Sequence, residues 1–307
     1  MQSSCLLSII LINYDGIEDT CELLDTIPSE MEGLEVVVVD NGSSRNEADL
    51  IAQRYPWAVV VRSQHNLGFA GGNNLGLQNA NGQFLFFINN DTLLACPGEC
   101  QTAYQRLTTL IDFLRQHPRA GLVCPMLRHT TEGHPIQWVG YTQLTPITLR
   151  NASLLPDNSN TTLPHPTPYA HGAAMLTSRD IVNQVGMMPE EYFLYYEELD
   201  WSHSIRKAGY EIWVEPRCTI YHKESCTTGK GSAMQAYYLT RNRLIFAQRN
   251  LLGARRAASI AYQVCIAATC HWIMYALKGQ RAWRDSVARA VFDFCKGHKG
   301  KDSKQHS

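Results

Sequence analysis

The 307 residues contain no CxxC pair, although the chain has 10 Cys. Cys96 and Cys100 come nearest, beside a Pro and a Gly, and no zinc-like spacing occurs. Scattered thiols in a chain of this size read as reduced and partly buried, in a cytoplasmic setting. No GxGxxG follows a strand-like run, which argues against a Rossmann dinucleotide site. No Lys follows the glycines of "HNLGFAGGNNLG", which excludes a P-loop. The start, "MQSSCLLSIILIN", has no basic n-region and only a short apolar run; it reads as a first strand and not as a signal peptide. Internal repeats and low-complexity tracts are also missing. With 45% hydrophobic and 18% charged residues, the chain can bury a core. Only the last segment, "KGHKGKDSKQHS", has the composition of a disordered tail.

Net charge is small, −1, but unevenly spread. From Arg241 onward there are 13 Lys/Arg against 3 Asp/Glu; before it there are 14 against 25. A basic tail on an acidic body points to an anionic partner, a membrane surface or nucleic acid, unless it is simply a solvated helical tail. Within that tail, "AASIAYQVCIAATCHWIMYAL" (257–277) holds 21 uncharged residues between Arg255/Arg256 and Lys278. The length suffices to span a bilayer. Its Gln263, Thr269, His271 and many alanines fit better a helix lying on, or dipping into, a membrane interface. A span and a helix packed on the protein are the alternatives. Basic residues on both flanks give no orientation.

Strand-like and helix-like segments alternate in the first half. "LLSIILI" (6–12), "EVVVVD" (35–40), "AVVVRS" (58–63) and "QFLFFI" (83–88) read as buried strands. Segments 17–27, 45–55 and 69–80 read as helices between them. That alternation predicts right-handed βαβ units and a mostly parallel sheet. A helix over 100–118 and a strand over 120–127 follow. Residues 128–168 carry six prolines and loop-like "PDNSNTTLP". Strand and helix resume over 171–186. A helix is predicted over 197–209, then two strand-like pieces, "YEIWVEP" and "CTIYH", then helix from Gln235.

Ligands of parallel sheets sit beyond the carboxyl ends of the strands. That rule gathers "NYDG", "DNGSSR" and "NNDT" along one edge. Asp40 ends a strand, where a carboxylate can accept from a base N–H or a ribose hydroxyl, or simply make an Asx-turn or N-cap. Asn66, Gly68, Gly71, Gly72 and Asn73 form a loop entering a helix. Its glycines would let the backbone approach a phosphate, or would only tighten a strand–helix connection. Asp91 is a hard oxygen ligand suited to Mg2+ or Mn2+ shared with a diphosphate, with Asn89 as a weaker neutral oxygen. Asn90 has the plainer task of making the turn. Glu197, Glu198 and Asp200 open a helix, where acidic groups favour the dipole. Clustered carboxylates also raise one another's pKa, which suits a general base. Tyr195, Tyr196 and Trp201 are either core or a platform for a sugar. His222 follows a short strand and matters if it meets Asp91 across a metal.

In this order the segments "SIILINYDG", "EVVVVDNGSS", "NLGFAGGNN", "FFINNDT", "HGAAMLTSRD", "YFLYYEELDWSHSIRKAGY", "IYHKES" and "YYLTRNRLIF" resemble the inverting family 2 glycosyltransferases, nearest the bacterial rhamnosyltransferase-like branch that builds surface polysaccharides. The resemblance spans roughly residues 8–246. It implies an α/β GT-A fold, a mostly parallel central sheet flanked by helices with a helical C-terminal extension. The implied domains are a catalytic 1–234 (nucleotide-sugar half about 1–127, acceptor half about 128–234) and a basic extension, 235–307. It implies that Ile12, Asn13, Tyr14, Asp40, Asn41, Asn66, Gly68, Asn73 and Asn90 surround a nucleoside-diphosphate sugar, with Asp40 on the base or ribose. Asp91 becomes the metal-binding residue of a DxD-type motif whose first Asp is here Asn89. His222 completes the metal site, for Mg2+ or Mn2+. Glu198 stands where the family carries a catalytic Asp, with Glu197 as the alternative and Asp200 beside them. Trp138, Gly172 and Trp201 are expected on the acceptor or sugar platform.

The implied reaction is an in-line displacement with inversion, from dTDP-rhamnose or another nucleotide sugar. The acceptor is a saccharide, free or linked to polyprenyl diphosphate. The expected location is the inner face of the cytoplasmic membrane, with no nucleic acid partner and the oligomeric state open. A nucleotidylyltransferase would need a basic, Gly-rich loop after the first strand, which "INYDGIEDT" lacks. A non-catalytic nucleotide-sugar binder or assembly-complex partner is the remaining alternative.

Overall fold

The computed structural model describes residues 5–96, 101–154, 162–223 and 232–302. The expectations that touch residues 1–4, Cys100, most of "PDNSNTTLP", Glu224 and Ser225 of "IYHKES", and residues 303–307 lie outside the described residues.

Four parallel strands form one half of a ten-stranded sheet: β1 (Leu7–Asn13), β2 (Leu34–Asp40), β3 (Val59–Arg62) and β4 (Phe84–Ile88). Helices α1 (Ile17–Asp25), α2 (Glu47–Arg54) and α3 (Gly68–Gln78) connect them. β1 and β2 are apolar without alternation because layers cover both of their faces. β3 differs from expectation. It is the sheet's edge strand, paired only with β2, and Val59 is exposed. Its valines reflect strand propensity without burial on both faces.

The rest of the sheet is mixed. β5 (Thr92–Leu93) follows β4; α4 (Ala103–Gln116) begins at a Thr102/Gln105 capping box. β6 (Ala120–His129), β7 (Ile136–Trp138), β8 (His165–Thr167) and β9 (Ala174–Ser178) come next. α5 (Arg179–Val185), a 3-10 turn (Glu190–Tyr192), α6 (Glu197–Lys207) and β10 (Glu211–His222) complete this part. The strand order is β3-β2-β1-β4-β9-β6-β10-β5, and β9 runs antiparallel to both its neighbours. The two strand-like pieces expected over 210–222 are one strand, β10, broken in register between Glu215 and Thr219. Pro216 sits in that bulge, where a missing N–H costs the ladder nothing.

The C-terminal part is helical: α7 (Ala233–Asn250), α8 (Gly253–Ala261), a π-helical stretch (Tyr262–Ala268), α9 (Thr269–Leu277) and α10 (Arg281–Cys295). α7 is not a loose appendage. Tyr237, Tyr238, Arg241, Asn242 and Leu244 are all buried, and α10 packs along it. A line drawn at residue 234 therefore marks the change in charge and cuts the first turn of a packed helix.

Candidate active site

Parallel pairing sets Asn13 beside Asp40 in register, so the ends of β1 and β2 share one edge. Asn13 is fully buried and committed to the scaffold. It donates to Glu47 Oε2 (2.8 Å) and Ser43 Oγ (3.2 Å) and accepts from Thr20 Oγ1 (2.8 Å). Asn90 extends this chain by donating to Thr20 Oγ1 (3.1 Å) and the Gly16 carbonyl (3.3 Å). These bonds pin the turn after β4 to the turn after β1. Asp40 accepts the Ser43 N–H on Oδ1 (3.3 Å), an Asx-turn, and Oδ2 takes no hydrogen bond among the described residues. Tyr14 is exposed at the rim, and Ile12 is half-buried below it.

Of the two readings of the glycine loop, the packing around it matches the tight strand–helix connection. A Cβ on Gly68 would fall 2.2 Å from the Phe193 carbonyl, and one on Gly72 would fall 2.7 Å from Ile12 Cδ1. These glycines permit close packing of protein on protein, and Gly68 also needs its positive φ of 76°. Asn41 clamps the loop by donating to Asn66 Oδ1 and the Gly68 carbonyl and accepting from Leu67 N. Asn66 Oδ1 receives Gly68 N, and Asn73 donates to the Phe69 carbonyl. Asn13, Asn41, Gly68 and Asn73 are buried, and the three amides are already bonded within the protein.

β5 pairs with β10 so that Thr92 lies opposite His222. This places Asp91 Oδ1 3.3 Å from His222 Nε2, with both side chains largely buried. His222 Nδ1 meets Gln137 Oε1 at 3.1 Å. In the tautomer protonated on Nδ1, that nitrogen would donate to the amide oxygen and leave the Nε2 lone pair toward Asp91. Two ligands of one divalent ion typically lie about 3 Å apart, so this oxygen–nitrogen pair fits two adjacent positions of a metal. Among the described residues no third His, Cys, Asp or Glu joins them. The Asp91 carbonyl accepts Lys223 N, and Lys223 Nζ bridges Asp19 (2.7 Å) and Glu22 (2.6 Å) on α1.

The carboxylates at the start of α6 are presented by a strained approach. Phe193, Tyr195 and Tyr196 have φ of 67°, 68° and 80°, unusual for bulky residues. Asn242 on α7 holds them, donating to the carbonyls of Tyr192, Leu194 and Tyr195. Arg241 adds a bond to the Tyr192 carbonyl. Glu198 keeps part of its surface open. Burial by its surroundings pushes its pKa up to about 7. Gly172 and Phe69 adjoin it; a Cβ on Gly172 would lie 3.9 Å from Glu198 Cγ. Glu197 is buried, and its Oε2 has no hydrogen-bond partner among the described residues. Burial, then the charge of Glu198, drives its pKa well up.

Three expectations fail here for one reason, burial. Asp200 accepts Tyr192 Oη (2.6 Å) and pairs with Arg249 Nε (2.6 Å), so it anchors α6 to α7 and is not a base. Trp201 is 1% exposed, with Nε1 donating to the Gly186 carbonyl and its ring edge-on to Phe87. Trp138 is also 1% exposed. Neither indole can receive a sugar. Tyr196 is core as well, its hydroxyl donating to the Leu149 carbonyl. Two residues not singled out in the sequence adjoin the site, His171 and Gln137. His171 stacks on Tyr141 (5.9 Å) and meets His222 edge-on (6.1 Å), next in sequence to Gly172. Gln137 orients His222. Both lie in or beside the Pro-rich middle, where no periodicity marks them.

The family model described as glycosyl transferase family 2 matches residues 8–186. The low-salt glycan biosynthesis hexosyltransferase Agl10 of Haloferax volcanii is 25% identical over 313 residues, 97% of this chain and 92% of that protein. An N-acetylglucosaminyl-diphospho-decaprenol L-rhamnosyltransferase of Mycobacterium tuberculosis is 25% identical over 213 residues, 64% of this chain and 69% of its own length. Among solved structures, mannosyltransferase PcManGT of Pyrobaculum calidifontis, in complex with GDP-Man and Mn2+, superposes with a TM-score of 0.56 at 16% identity, covering 94% of this chain and 86% of that one. GalNAc-T7 with UDP, GalNAc and Mn2+ gives a TM-score of 0.59 at 13% identity, covering 88% of this chain and 57% of that one. At such identities the likeness is one of fold, and the fold is GT-A.

Proposed function

The chain belongs to glycosyl transferase family 2, and from that premise we propose that it transfers one sugar, with inversion, from a nucleoside-diphosphate donor to a saccharide acceptor. The observation that carries the proposal is the nearness of two chemistries on either side of His171–Gly172: the His171 ring meets His222 edge-on, and a Cβ on Gly172 would lie 3.9 Å from Glu198 Cγ. One is the Asp91–His222 pair, whose oxygen and nitrogen could hold a metal; the other is a partly exposed carboxylate, Glu198, with its pKa pushed up to about 7. Donors of the dTDP-rhamnose or NDP-hexose kind are favoured, since the similar proteins are described as a hexosyltransferase and a rhamnosyltransferase. A polyprenyl-diphosphate-linked saccharide is the favoured acceptor, because the mycobacterial relative's name describes such a substrate. Surface polysaccharide assembly is the corresponding role.

Asp40 Oδ2 and Tyr14 form the side on which the nucleoside rests, the carboxylate accepting a base N–H or ribose hydroxyl. Asp91 and His222 Nε2 would hold Mg2+ or Mn2+, with Asn89 beside them. When bound, that ion offsets charge on the departing diphosphate. Gln137 keeps His222 in the ligating tautomer. Glu198 takes the proton of the acceptor hydroxyl as its oxygen attacks the anomeric carbon, and a pKa near 7 suits a base working near neutral pH. Glu197, buried beside it, stays protonated and adds no second charge. Gly172, without a side chain, leaves the space beside Glu198 open to the acceptor.

A thermal-shift panel of nucleoside diphosphates and nucleotide sugars, with and without Mn2+, tests the reading. One nucleotide class should stabilise the protein, and more so with the metal. No response to any nucleotide would overturn it.

A further inference from the structure

α8, the π-helical stretch and α9 form one continuous helix, Gly253–Leu277, of 25 residues with mean hydropathy 1.4. Its inward face carries polar side chains beside the small Ala267 and Ala268, and its large apolar ones lie outside. Ser259 and Gln263 face the protein: Ser259 Oγ donates to the Ile147 carbonyl (2.7 Å), and Gln263 Nε2 to the carbonyls of Ile147 (3.2 Å) and Thr148 (3.0 Å). Ile266, Trp272, Ile273 and Leu277 face out, each more than 40% exposed. A helix of a water-soluble body does the opposite, burying its apolar stripe.

We infer that this outward face docks the protein flat on an anionic lipid bilayer. Length alone would permit a span, but the packing does not. Insertion would drag the Ile147–Thr148 backbone and adjacent Arg150 into hydrocarbon, or break the bonds of Ser259 and Gln263. α10 also packs back along α9, carrying Asp285 and Asp293. The charge selects lipid over a second copy of this chain. From residue 251 to 284 there are five Lys/Arg and no Asp or Glu. Two such faces repel each other, whereas an anionic leaflet attracts both. The rim has the chemistry of an interfacial helix: Arg255, Lys278 and Arg281 are exposed at its ends, and Arg284 lies 5.7 Å over the Trp272 ring.

The face also connects to the candidate site. The segment Ile147–Leu149 is gripped from one side by Ser259 and Gln263. From the other, Tyr196 donates to the Leu149 carbonyl, one residue before Glu197. Docking therefore sets the helix, and through one short segment the loop before Glu198, against the surface where a lipid-linked acceptor resides. The docking itself is independent of which sugar is moved, or of whether one is.

The test is flotation of the full chain with phosphatidylcholine vesicles carrying about one-third phosphatidylglycerol, against phosphatidylcholine alone. The protein should float with the anionic vesicles, and added salt should weaken binding. The double substitution Ile273→Glu/Leu277→Glu, at two exposed positions, should cut partitioning at least about tenfold without changing the melting temperature. In brominated anionic lipid the tryptophan fluorescence should be quenched, and Trp272→Phe should remove most of that quenching. This second readout stands even if the double variant misfolds. Failure of the wild-type chain to float on either vesicle would overturn the inference, as would unchanged quenching in Trp272→Phe. So would a wild-type dimer that the double variant converts to monomer, with no lipid binding. None of these results bears on nucleotide binding, which is read separately.

Discussion

Asn242, on α7, donates its side-chain amide to the Tyr195 carbonyl at 2.9 Å, three residues before Glu198. The same nitrogen reaches the carbonyls of Tyr192 and Leu194. Non-glycine residues at positive φ cost roughly 1–3 kcal/mol each, and three of them lie in Phe193–Tyr196. The amide offsets that strain by satisfying carbonyls the irregular backbone leaves without ladder partners. The C-terminal helices in this way hold the backbone that leads into Glu198.

Replacing Asn242 by Asp should therefore be harsher than replacing it by Ala. The carboxylate has no donor and would face three carbonyls. Loss of the amide alone should cost about 2–4 kcal/mol, from buried acceptors left unsatisfied. Denaturant melts of the two variants check this. A loss under about 0.5 kcal/mol in both would show that the brace is dispensable.

Glu197 gives a stability prediction with a definite sign. Its folded-state pKa is raised by burial and by the neighbouring Glu198 charge. The folded protein therefore binds more protons than the unfolded chain once pH exceeds the ordinary carboxylate value of about 4.3. Stability falls as pH rises through that window, up to the raised pKa. Glu197→Gln should remove the penalty. Its melting temperature should exceed that of the wild type by about 2–4 °C near pH 8, with the gap closing toward pH 4. A gap that widens on acidification would contradict the reading of a buried, protonated carboxyl.

Gln137 acts through His222. With Gln137→Ala the imidazole loses the partner that fixes its tautomer, and Mn2+ affinity should drop about 10–100-fold. Titration of Mn2+ by electron paramagnetic resonance, in the presence of the nucleotide found to bind, measures this without turnover. Equal affinity in wild type and variant would leave Gln137 a packing residue only.

Much of this architecture was legible in the chain itself. The valine and isoleucine runs of β1 and β2, separated by polar helix-like stretches, can only be covered strands of a parallel sheet. The strand-end rule then put Asp40 and Asp91 on one edge. What escaped was anything decided by partners far away in sequence. Gly68 looked like a loop for a phosphate, yet what it accommodates is the Phe193 carbonyl, 125 residues on. Asp200 looked like a third carboxylate of a catalytic cluster, yet Arg249 claims it. Trp201 looked like a sugar platform because aromatic residues beside carboxylates suit one; only the fold reveals that its ring is against Phe87. β3 shows the reverse: its valines match those of β2, but its place at the sheet edge comes from topology, which local sequence does not encode.

The pH profile follows from Glu198. With its pKa near 7, kcat should rise roughly tenfold per pH unit below neutrality and level off above about pH 8. A profile flat from pH 5.5 to 8 would mean that a different group accepts the proton.

The most direct measurement compares wild type with Glu198→Gln. It follows nucleoside diphosphate release in the presence of acceptor and donor-nucleotide affinity on the same preparations. Glutamine keeps the shape and cannot take a proton. The expected result is a loss of turnover of about 10²–10⁴-fold with nucleotide affinity within about threefold of wild type. Undiminished turnover would contradict the assignment of Glu198 as the base, and no nucleotide release by either protein with any donor would contradict the transferase reading itself.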